Sequence, residues 1–184
     1  FDITVGYSNQ SKVSASTNVQ NSKKRNIYNQ MAQVLMGYDH TGSIQNFDED
    51  GDIIAGGTKI NECYFMNFSR LLVKDEIKKG SFSMVLGVTG SSYAGGAAFP
   101  LSVPTAYDRA IRRTIQIKDT DAQNDFRVNS PAGEYGILKI YEKAMDGATA
   151  GRTVTTASDG TSNEGAACGL IYYQAGIVVL SGSV

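Results

Sequence analysis

The sequence predicts a β-rich α+β fold: a mostly antiparallel sheet or sandwich of about seven strands, one main helix, and long Gly/Ser-rich loops. Several runs alternate apolar and polar residues with the period of two that a half-buried strand requires. One stretch carries apolar residues at i, i+4, i+7 and i+8, the stripe of an amphipathic helix. The 184 residues include 20 Gly and no Trp, a composition suited to many turns and extended segments.

In chain order, Ile3, Val5 and Tyr7 alternate with Asp2, Thr4 and Gly6, which predicts a first strand. Residues 8–21 are polar and read as an extended arm that needs a partner to hold it. Ile27, Met31, Val34 and Leu35 form the helical stripe; Asn21 or Ser22 can cap its start and Gly37 its end. An acidic, Gly-rich loop over 41–58 precedes the apolar run 63–68, a strand covered on both faces. Residues 70–79 suit a short helical turn closed by Gly80, and Phe82, Met84 and Leu86 begin another strand. Residues 113–118 and 135–141 alternate as strands. Residues 89–98 and 144–165 are loops, and two apolar runs joined at Gly176 close the chain as a hairpin.

Residues 1–184 read as a single structural domain, and strand-like residues at both ends suggest a segment of a longer or processed chain. Hydrophobic residues make up 41%, enough for a sizeable core at this length. The net charge of −1 supplies no general attraction for nucleic acid or an anionic membrane. No apolar run approaches the ~20 residues of a membrane-crossing helix. Cys63 and Cys168 lie in apolar strand-like runs without metal spacing, so two buried thiols are expected, with a disulfide as the alternative.

Catalytic signatures are sparse. His40 is the one histidine, and it sits in a Gly-Tyr-Asp-His-Thr-Gly loop where a solvated His is ordinary. No nucleophile elbow, phosphate-binding loop or dinucleotide fingerprint is present, and one His with two distant Cys does not suit a zinc site. The chain is therefore expected not to be an enzyme. The sharpest local pattern is Asn46-Phe47-Asp48-Glu49-Asp50-Gly51-Asp52-Ile53. Asn46, Asp48 and Asp50 match positions 1, 3 and 5 of a calcium loop, with Gly51 at the sharp turn. Position 12, which should be acidic, is Gly57, so an acidic surface turn is the alternative to a calcium site.

Arg109, Arg112, Arg113 and Lys118 form a basic cluster that suits a solvated strand edge or an inter-subunit surface more than a nucleic-acid patch. Tyrosines, among them Tyr28, Tyr38, Tyr64, Tyr93, Tyr107, Tyr135, Tyr141, Tyr172 and Tyr173, raise a glycan-binding reading, which requires them clustered and exposed rather than packed in the core.

Three stretches occur in a recognisable order. They are Arg25-Asn26-Ile27-Tyr28 running to Tyr38; Tyr64-Phe65-Met66-Asn67-Phe68-Ser69-Arg70 followed by Lys74-Asp75-Glu76-Ile77-Lys78-Lys79-Gly80-Ser81-Phe82; and Gly169-Leu170-Ile171-Tyr172-Tyr173 running to Leu180. Over about half of the chain this set resembles a family of large virion structural proteins of T4-like and marine tailed bacteriophages. The resemblance implies a non-enzymatic structural component located in the virion, in the tail, baseplate or neck. Its implied partners are other virion proteins and copies of itself. A capsid decoration protein and a host-glycan-binding adhesion module are the alternatives. The resemblance supplies no catalytic or cofactor-binding residues. Within the second stretch, Arg70 and Lys74 beside Asp75 are expected to make an ion-paired corner, with Gly80 reversing the chain into Phe82.

Overall fold

The computed structural model describes residues 1–15, 19–51, 57–72, 75–89, 111–120, 122–143 and 166–182. Among them are one α-helix, α1 (Val19–Leu35), and eight strands: β1 (Asp2–Tyr7), β2 (Glu62–Asn67), β3 (Ser83–Thr89), β4 (Ile111–Lys118), β5 (Phe126–Ser130), β6 (Gly133–Lys143), β7 (Ala166–Tyr172) and β8 (Ile177–Ser181). The strand order is β1-β2-β8-β7-β6-β4-β3, with β5 paired to β6. The β1–β2, β2–β8, β7–β8 and β5–β6 ladders are antiparallel. The β-rich α+β expectation is met.

The residues gather into two units: residues 1–82, 118–139 and 167–184 in the first, and 83–117 and 140–166 in the second. In the second unit the Gln116 amide donates to Ser83 Oγ at 2.9 Å, and Ile117 and Ile140 are buried. The first unit holds α1 and the main hydrophobic cluster.

Alternation sorts the first unit's strands into two faces. Phe65 pairs with Val179, which pairs with Leu170; these side chains join Cys63 and Tyr172 in the cluster with Tyr28, Ala32 and Leu35 of α1. Gly6 lies where helix and strand meet most closely. A Cβ there would lie 2.9 Å from the Tyr28 backbone nitrogen and 3.2 Å from the Lys24 carbonyl oxygen. The missing side chain lets Tyr28 reach the interior, where its ring meets those of Phe47 and Phe65 at 5.4 and 6.4 Å. Such aromatic pairs are worth about 0.5–1.5 kcal/mol each beyond their buried area. The Tyr28 hydroxyl donates to the Ile60 carbonyl at 2.8 Å and accepts the Phe47 N–H at 3.3 Å, so its burial strands no polar atom.

The structure corrects several details. The buried positions of α1 are Asn21, Tyr28, Ala32 and Leu35, whereas Val34 of the expected stripe is 61% exposed and Ile27 and Met31 are half-buried. Tyr28 takes the central place because its hydroxyl finds two backbone partners inside. The arm expected over 8–21 is, on its described residues, folded against the sheet. Ser8 N–H donates to the Asn61 carbonyl at 2.7 Å, Ser11 Oγ donates to Glu62 at 2.7 Å, and residues Lys12–Ala15 form a 3₁₀ turn. Buried Asn21, instead of only starting the helix, bonds the Tyr7 hydroxyl. The helical turn expected over 70–79 is a 3₁₀ turn at Ser69–Leu71; residues 73 and 74 lie outside the described residues.

Candidate functional site

On the described residues of the expected calcium loop and its flank, Asp48 pairs with Lys59 across an isolated antiparallel bridge. Gly51 (φ +74°) and Gly57 (φ +65°) adopt the left-handed backbone that glycine tolerates. A Cβ on Gly57 would meet Asp48 Oδ2 at 2.9 Å. The Gly51 carbonyl accepts the Tyr135 hydroxyl at 2.8 Å, which ties the loop to the core.

Asp48 is fully buried, and its carboxylate bonds the Lys59 ammonium and the Asp50 N–H. Burial raises the Asp48 pKa, and Lys59 pulls it back down. Burial also raises Glu49, and Asp48 and Asp50 add to the shift. Asn46, by contrast, lines a surface cleft with Asn29, and Asp50 is exposed. The three expected ligands therefore have different surroundings, and the cation beside Asp48 is a lysine. Among the described residues no group of three or more His, Cys, Asp or Glu side chains is gathered to hold a metal; Asp52 lies outside them.

A second acidic centre was not visible in the sequence pattern. Asp119, 1% exposed, accepts the Gly80 N–H at 2.8 Å and the Phe82 N–H at 2.9 Å, with the Tyr173 hydroxyl at 3.4 Å. Burial raises its pKa and the two amides oppose the shift. Gly80 (φ +74°) makes the expected reversal into Phe82, but the anchor holding it comes from 39 residues further along the chain. Lys79 pairs with Glu134 and lies 4.0 Å from the Phe126 ring centroid. The ion-paired corner expected from Arg70, Lys74 and Asp75 involves Lys74 and the Arg70 side chain, which lie outside the described residues.

Cys63 and Cys168 are free and buried. Ser181 of β8 opposes Cys63 of β2, and the β7–β8 register sets Cys168 on the far side of the same row. Two strand spacings separate the cysteines, about 10 Å, beyond the reach of a disulfide. Burial pushes both thiols up, Cys168 to about 12. His40 is exposed in a tight turn. Arg109 lies outside the described residues, as do the side chains of Arg112 and Arg113. Tyr28, Tyr135, Tyr172 and Tyr173 are fully buried, whereas Tyr38 and Tyr64 are exposed; Tyr93, Tyr107 and the Tyr141 side chain lie outside the described residues.

Several large apolar side chains are exposed together at the β1 edge. The face opposite α1 carries Ile3, Met66, Val178 and Ile171 in one cross-strand row, and Val5, Tyr64, Leu180 and Gly169 in the next. Met66, Val178, Ile171 and Leu180 are buried, but Ile3 is 57% and Tyr64 43% exposed. Phe1, 63% exposed, extends the strip against Phe68 with ring centroids 5.1 Å apart. No family model, curated protein or solved structure matches this chain.

Proposed function

We propose that this chain is a non-enzymatic structural component of a tailed-phage virion, built into the tail, baseplate or neck. It works through interfaces with other virion proteins and with copies of itself, and takes neither nucleic acid nor membrane as partner.

The observation that carries this reading is the exposed apolar strip at the β1 end of the sheet order, made by Phe1 and Ile3 at and on β1 and by Tyr64 on the neighbouring β2. An edge strand offers free backbone N–H and C=O groups, and proteins usually blunt such edges with charge, proline or a bulge. β1 has one charged residue, Asp2, and no proline. Apolar side chains beside an open ladder suit a surface covered by a neighbouring subunit. The internal use of polar groups supports the same reading: Asp48 neutralises Lys59, Asp119 anchors backbone amides, and Lys79 pairs with Glu134.

Quantitative mass spectrometry of density-purified phage particles tests the assignment. The expected result is this chain at a fixed copy number per particle after nuclease and salt washes. Its presence in the lysate but not in washed particles would overturn the assignment.

A further inference from the structure

The polar surface between the loop after β1, helix α1 and the loop after α1 forms an open cleft of about 370 Å³, lined by Asn9, Gln10, Asn29, Ser43, Ile44 and Asn46. That volume lies at the small end of the ~300–1,000 Å³ typical of small-molecule sites. Four of the six lining residues carry a side-chain amide, and none carries a charge. Of the acidic residues near these in sequence, Asp48 is buried against Lys59, and Asp39 is engaged in its own turn, where Oδ1 accepts the Thr41 N–H at 2.8 Å and the Ser43 N–H at 2.9 Å.

Each amide offers both donors and an acceptor, the same dual character that every sugar hydroxyl has. An anionic or cationic ligand would instead call for a charged, bidentate partner. Among the described residues the Gln10, Asn29 and Asn46 side chains make no hydrogen bond, so a ligand would displace water rather than break internal bonds. Beside the amides stands an apolar element. Tyr38, 52% exposed, pairs with Ile44 across an antiparallel bridge, which sets the two side chains next to each other. An aromatic ring with an aliphatic neighbour suits the C–H face of a pyranose, while the amides suit its hydroxyl edge.

From this arrangement we infer that the Asn29–Asn46 cleft, with Tyr38 at its rim, binds a neutral carbohydrate. The inference does not rest on the virion reading, and either can stand without the other.

Saturation-transfer NMR on the whole chain tests it, with a panel of neutral hexoses, N-acetylhexosamines and their disaccharides, plus sialic acid and glucosamine as charged comparisons. The expected result is saturation of at least one neutral sugar, with affinity falling tenfold or more in Asn29→Leu and in Tyr38→Ala. Val128→Ser, on exposed β5, is expected to leave binding unchanged. Should Asn29→Leu fail to fold by circular dichroism, Asn46→Asp sets a charge in the same cleft and is expected to give the same loss. Saturation of no neutral sugar, saturation of the charged sugars only, or binding that survives in the folded variants would overturn the inference.

Discussion

The Asp119 carboxylate accepts the Gly80 N–H at 2.8 Å, a bond that joins the end of β4 to a chain reversal 39 residues earlier. Its other oxygen takes the Phe82 N–H, so one buried side chain satisfies two backbone donors that no strand or helix serves. Removing it in Asp119→Ala deprives both donors of this partner. The expected loss is about 1–3 kcal/mol in urea unfolding, since the half-buried Phe82 amide loses its partner while the amide of exposed Gly80 can turn to water. The folded pKa of Asp119 lies above its ordinary value of 3.8. The native state therefore holds this proton longer than the unfolded chain, and the stability from this group falls as pH rises through that window. Asp119→Asn is expected to flatten that decline relative to the parent, measured as urea midpoints across the acid range.

Gly6 is the point of closest approach between β1 and α1. Gly6→Ala places a methyl 2.9 Å from the Tyr28 backbone nitrogen, where neither element can give way cheaply. The expected cost is about 1–3 kcal/mol of overpacking. A lower melting temperature together with loosened Tyr28 and Phe65 side-chain NMR signals would confirm that the contact is at fault.

Lys59 is the cation of the acidic loop. Lys59→Met leaves Asp48 buried without its counter-charge and is expected to cost about 1–3 kcal/mol, less than a fully buried pair because Lys59 is 24% exposed. Asp48→Asn with Lys59→Met is expected to cost less than the two single changes added together, which a double-mutant cycle by thermal unfolding reads directly.

Buried thiols should be silent. With both cysteines buried and their pKa values raised, Cys168 to about 12, Ellman's reagent at pH 8 is expected to titrate neither in the native chain and both in guanidinium. Rapid reaction of one thiol in the native chain would mean that β2 or β7 opens.

How much of this was legible depends on the range of each interaction. The strand at β1 follows from local alternation, and β2 and the β7–β8 hairpin from apolar runs, the latter joined at Gly176, although β2 is not covered on both faces as expected, because Tyr64 is exposed. The face of α1 does not. Val34 has the spacing of a buried residue, but Tyr28 wins the interior through Gly6, Phe47 and Ile60, contacts that only tertiary structure reveals. β5 carries no local signal of its own because none of its five residues is buried, although Pro131 and the left-handed Gly133 that follow it are a readable hairpin signal. Asp119 opens a polar run in the sequence, and nothing local marks it as an anchor for Gly80. Asp48 matched a calcium-loop position by spacing, whereas its actual partner, Lys59, lies 11 residues away.

Amide hydrogen exchange across β1, compared between the isolated chain and purified particles, tests the central claim most directly. A sheet edge that is open in the subunit and covered by a neighbour in the virion predicts marked slowing over residues 2–5 on assembly, with the β7–β8 hairpin nearly unchanged. Equal exchange of β1 in both states would contradict the assignment of this edge as the assembly surface.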